Sequence, residues 1–169
     1  MRKILLPSLT LSVFLFESFY VLFFSKFYEW ILVPRFLFCV LFFIVLFYSR
    51  SQGFIYAVVF GLIYDVVHTE VLGVYLTLFP LLCYLMDRLM KIFHHHLIII
   101  IFVTLLGMTG LEFFVYELNV LLQVTDMNME SFVQQRLLPT IYMNGVFLFL
   151  FSFPLKKFLL YLQARILDE

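Results

Sequence analysis

Six long apolar runs, broken only by short polar stretches, leave this chain few folds to choose from. The runs are Ile4–Phe24, Ile31–Tyr48, Gly53–Val67, Leu72–Met90, Leu97–Leu122 and Leu138–Leu160. A helix needs about 20 mostly apolar residues to cross the hydrocarbon core of a bilayer. The third run is short, and would extend toward Glu70, tilt little, or thin the bilayer locally. Of 169 residues, 64% are hydrophobic and 13% charged, where a soluble domain has about a quarter charged. Too few polar residues remain to cover a soluble surface, so the chain reads as an integral membrane protein. No extramembrane stretch is long enough for a second domain. The expectation is one all-α transmembrane domain over residues 1–169, a compact six-helix bundle.

The charges give the count of six its support. Formal net charge is zero, which gives no reason to expect nucleic acid as a partner. Lysine and arginine collect on the cytoplasmic side of membrane proteins. Six spans with the N-terminus inside put Arg2, Lys3, Arg50, Arg88, Lys91, Lys156, Lys157 and Arg165 on that side. Only Lys26, Arg35 and Arg136 fall outside. Treating the third run as re-entrant would move Arg88 and Lys91 away from Arg50. Both termini are therefore predicted to be cytoplasmic. The first run follows Arg2-Lys3 as a signal peptide would, but it is long for one and lacks an A-x-A-like cleavage site, so it reads as a retained first span. Short connections make sequential helices neighbours, and Gln123–Arg136 is the longest of them, an external loop. Cys39 and Cys83 lie in apolar runs without metal or disulfide spacing.

The stretch Gly53–Gly73 is the most patterned. Gly53, Ala57 and Gly61 recur every four residues, and Asp65 continues the series. On a helix all four share one side. Small residues so placed let another helix approach closely in a membrane, and Asp65 ends that stripe. Gly73 follows a polar break where the chain can turn.

Ionisable residues inside a bilayer are costly and are functional candidates by default. Glu17 lies deep in the first run with Thr10 on the same face. Glu112 lies in the fifth, on a stripe with Thr109, Tyr116 and Asn119. Hydrogen bonding between helices is the plainer role for both carboxyls. Pro34-Arg35 opens the second helix on the external side, since proline suits a first turn. Arg35 is expected to snorkel to the interface or to pair with Asp65, in which case the pair lines the mouth of an external cavity. Phe16, Phe19 and Phe23 make the first helix strongly aromatic, facing lipid or offering a surface to another membrane protein. The triplet His94-His95-His96 reads as a solvated loop, because consecutive residues do not share a helix face. No HExxH, GxSxG, Walker A or GxGxxG pattern occurs. Nothing points to an enzyme, a metal or a cofactor.

In order and spacing, Pro34-Arg35, Gly61-Leu62-Ile63-Tyr64-Asp65, Leu72-Gly73-Val74-Tyr75, Leu111-Glu112-Phe113, Arg136-Leu137-Leu138-Pro139-Thr140 and Pro154 before a basic tail resemble the MreD family of bacterial rod shape-determining membrane proteins. The resemblance covers essentially the whole chain. It implies a multi-pass protein of the plasma membrane, without established catalysis, that acts in cell elongation. Its implied partners are MreC first, then RodA (the glycan polymerase), a class B penicillin-binding transpeptidase and, indirectly, MreB. It also implies a fold similar to the substrate-binding subunits of energy-coupling-factor transporters. Pro34, Arg35, Gly61, Asp65 and Gly73 are carried over as family-motif positions. A small-molecule or lipid-binding subunit of a transporter is the alternative. It would use an external cavity lined by Arg35, Asp65, His68, Glu70 and the Gln123–Arg136 loop.

Overall fold

A computed structural model describes residues 4–24, 30–69, 71–93 and 96–167, with side chains as far as Ala164. Every regular element among them is helical: α1 (Leu5–Phe24), α2 (Phe36–Phe47), α3 (Arg50–His68), α4 (Val74–Ile92), α5 (Leu97–Leu121), α6 (Met129–Ser131) and α7 (Leu138–Leu167). A π-helical segment, Phe132–Leu137, joins α6 to α7 in one continuous rod. Among the described residues, four helices are long and apolar enough to cross a membrane: α1, α3, α5 and the rod from Met129 to Ala164. The 19 residues of α4 carry Asp87, Arg88 and Lys91 toward its C-terminal end.

The short helix α2 is the centre. It packs against α1, α3, α4, α5 and α7, and Phe36 through Val45 are all buried. Its 12 residues would rise only about 18 Å, against a hydrocarbon core of roughly 30 Å. The expected helix from Ile31 to Tyr48 is thus corrected. Residues 31–35 form no regular element, and Arg35, with φ −128° and ψ 34°, holds the N-cap position of a helix that begins at Phe36. Pro34 does not open the helix; it lies in the non-helical segment before it and biases Val33 away from helical backbone.

Non-helical backbone persists at membrane depth only where protein satisfies it, and the last rod does so. The Ile31 N–H donates to the Gln135 carbonyl at 2.8 Å. Pro139, having no N–H, cannot take that carbonyl in the α-helical pattern. The Val33 N–H donates to Thr140 Oγ1 at 3.2 Å, and the Val33 carbonyl accepts from Asn144 Nδ2 at 3.0 Å. Asn144 Oδ1 accepts the Arg35 N–H at 2.8 Å. One asparagine therefore pins the chain on both sides of Pro34.

Two further expectations shift. The third helix starts at Arg50, three residues early, and reaches 19 residues. Its polar first turn is held by Arg50, whose Nε donates to buried Asp87 at 3.1 Å. The expected Gln123–Arg136 loop is mostly helix from Met129 onward. Asn128 starts that helix, its Oδ1 accepting the Ser131 N–H at 2.8 Å, an ordinary N-cap.

Candidate functional site

Two carboxylates in the bundle act on helix starts, where backbone N–H groups have no partner within the helix. Glu17 reaches from α1 to α2. It accepts the Leu37 N–H at 2.9 Å and the Tyr64 hydroxyl at 3.1 Å. Asp65, near the end of α3, does the same for α4. It accepts the N–H groups of Gly73, Tyr75 and Leu76 at 2.9, 2.8 and 3.0 Å. Gly73 makes the turn into α4 with φ of +106°, backbone that suits glycine. A carboxylate at a helix N-terminus also meets the positive end of the helix dipole.

Arg35 neither snorkels nor pairs with Asp65, correcting the expectation. Asp65 is already engaged by the start of α4, and Arg35 is only 2% exposed. Its Nε donates to Glu112 Oε1 at 2.5 Å. Its Nη1 and Nη2 donate to the hydroxyls of Tyr64 and Tyr75 at 2.7 and 2.8 Å. The second oxygen of Glu112 accepts from Arg136 Nε at 3.1 Å. Glu112, fully buried, thus lies between two guanidiniums, one buried and one 24% exposed. The π-helical segment is what carries Arg136 to this point.

Beside this trio lie two cavities, of about 320 and 200 Å³, that share His68, Tyr75 and Arg136. Of the motif residues expected around an external cavity, Arg35 lines one. Pro34, Gly61, Asp65 and Gly73 line neither. Asp65 is turned into the α4 backbone. Gly61 lies against that same backbone, where an added Cβ would come within 2.5 Å of the Tyr75 carbonyl oxygen. Gly53 meets α2, with Val45 Cα 2.8 Å from its Cβ position, and Ala57 between them is fully buried. Asn119 lines the larger cavity. Tyr116 donates to the Met127 carbonyl at 2.9 Å and stacks on Phe132. Thr10 and Glu17 are buried, while Phe16, Phe19 and Phe23 are each more than half exposed. Glu70, His94 and His95 lie outside the described residues.

Tyr64, Tyr75, Thr140, Asn144 and the role of Arg136 escape a reading of the sequence. Thr140 and Asn144 stand four apart in an apolar run, the spacing that signals a polar stripe on one helix face. The tyrosines resemble interfacial anchors, and only the fold turns their hydroxyls inward. Among the described residues, no buried side-chain nitrogen or oxygen lacks a hydrogen-bond partner. Chemically, the cluster holds helix ends and neutralises cations, which is what a polar interior requires in an apolar bundle.

An apolar helical bundle whose interior carboxylates are tied to arginines and helix ends is an integral membrane protein. The family model for the rod shape-determining protein MreD matches residues 1–162. A protein of Bacillus subtilis (strain 168), "Rod shape-determining protein MreD", is 33% identical over the full length of both chains. The chain belongs to the MreD family. No solved structure matches it.

Proposed function

We propose that the chain is a non-catalytic membrane scaffold and regulatory subunit of the bacterial cell-elongation complex, supporting rod shape and peptidoglycan synthesis through MreC. The observation that carries this is the full-length similarity to a rod shape-determining protein. The engagement of the buried carboxylates in holding helix ends and arginines supports it, because each is committed to structure. In this reading six segments cross the plasma membrane, α2 doing so together with the non-helical residues before it, the fold is similar to that of energy-coupling-factor substrate-binding subunits, and both termini are cytoplasmic. RodA, a class B transpeptidase and, indirectly, MreB are further partners.

The partner binds within the membrane, since the polar connections are short against a standard interface of roughly 800 Å² per side. The exposed aromatic face of α1, with Phe16, Phe19 and Phe23, is the proposed surface. Photo-cross-linkers at those three positions should capture MreC in cells. Capture only from sites on α4, α5 or α7 would put the interface on another face. The second reading, a small-molecule or lipid-binding subunit of a transporter, draws on the cavities beside Arg136. Accumulation of a substrate by the purified protein alone in proteoliposomes would favour it and sink the scaffold.

A further inference from the structure

We infer that the paired cavities beside Arg136 bind a phosphate-bearing anion, with Arg136 as its principal ligand. The inference begins with charge. Arg35, Glu112 and Arg136 make a trio with two cations and one anion. Two further buried carboxylates of this end, Glu17 and Asp65, are turned onto the starts of α2 and α4, Glu17 also reaching Arg35 through the Tyr64 hydroxyl. Arg136 has to share Glu112 with Arg35, and it is the exposed end of the trio. Among the described residues no aspartate or glutamate lines either cavity.

The geometry agrees. Arg136 uses Nε toward Glu112. Its two Nη groups make no hydrogen bond among the described residues, and the side chain faces both cavities. A guanidinium held by Nε presents its remaining edge as a fork that matches two oxygens of a phosphate. His68 and Tyr75 flank it in both cavities, and Asn119 and Thr69 add polar groups in the larger. Apolar residues make up much of the remaining lining, with Val74, Val115 and Leu118 in one cavity and Val21, Ile31 and Leu32 in the other. The larger volume is in the range of small-molecule sites, which run from about 300 Å³ upward. An anionic head against Arg136 with apolar substance along the valines and leucines satisfies both surfaces. A lipid headgroup and free phosphate share the head chemistry. The site does not depend on the scaffold role.

The test uses the purified full-length chain in an uncharged detergent, with binding read by native mass spectrometry and by thermal shift. The probes are phosphatidylglycerol, inorganic phosphate and, as a phosphate-free control, diacylglycerol. Saturable binding of phosphatidylglycerol, weakened at least tenfold by Arg136→Gln and less by Arg136→Lys, is the expected result and identifies a lipid source. Saturable binding of inorganic phosphate with the same dependence on Arg136 supports the site and assigns it to the free anion. Leu118→Trp, which narrows the larger cavity without touching the trio, should weaken binding as well. It decides the matter if Arg136→Gln does not fold. Binding of neither phosphate probe, diacylglycerol binding as tight as phosphatidylglycerol, or affinity unchanged in a folded Arg136→Gln or Leu118→Trp protein would overturn the inference.

Discussion

Glu112 and Asp65 look alike as single acids in apolar runs, yet they do different work. Glu112 holds two arginines, and removing one partner of a buried ion pair costs about 3–5 kcal/mol, because the other charge is left uncompensated. Glu112→Gln should therefore lower the thermal midpoint of the detergent-solubilised protein well below that of Glu117→Gln, where the side chain is exposed. Equal midpoints for the two variants would show that the trio contributes nothing to stability. Asp65 shares two oxygens among three backbone N–H groups, and asparagine offers one oxygen. A buried donor left without an acceptor costs about 1–3 kcal/mol. Asp65→Asn should accordingly loosen the start of α4 and reduce the amount of folded protein. If rod shape, MreC capture and abundance all survive Asp65→Asn, the carboxylate is dispensable and only its packing matters.

Among the helices, α3 is the one whose sequence pattern has the plainest structural counterpart. Gly53, Ala57 and Gly61 lie buried against α2 and α4. At Gly61 an added Cβ meets the Tyr75 carbonyl at 2.5 Å and Leu76 Cα at 2.9 Å. Those are backbone atoms of α4 and cannot step aside. Gly107 in α5 is also crowded, but by the side chain of Met86, a flexible group able to repack. Gly61→Ala should thus lose far more folded protein than Gly107→Ala, as judged by membrane abundance and gel filtration. The reverse order would mean that α3 and α4 separate easily and that this contact is not what sets their spacing. The π-helical segment makes a similar point. Pro139 withholds a donor, Ile31 uses the freed Gln135 carbonyl, and the last rod becomes the support of the segment before α2.

At the scale of the molecule, charge is distributed in two ways. Arg50 and Lys91 gather around Asp87 at one end, and Lys156 lies over the ring of Phe47 there. At the other end Arg35 and Arg136 share Glu112. The two arginines that break the expected segregation of basic residues are thus explained by an internal carboxylate. The proposed topology predicts a cytoplasmic response from a reporter fused after Glu169 and an external response from one inserted near Asn128. The opposite response at either site would overturn it.

What the sequence by itself determined is the solvent and the element type. Runs too apolar for water form helices, and the small-residue period marks a face of close approach. Glu17, Asp65 and Glu112 stand out because ionisable groups in lipid are costly. Hydropathy could not show which run lies in the middle, since lipid tails are as apolar as leucine and a core helix and a lipid-facing helix have similar compositions. Nor could it pair charges between α2, α5 and the last rod, because those contacts join residues 77 and 24 positions apart. Only the tertiary structure decided that Arg35 turns to Glu112, that Asp65 holds the start of α4, and that residues 31–35 stay out of the helix. Each choice depends on backbone donors and acceptors brought from distant parts of the chain, in a medium with no water to satisfy them.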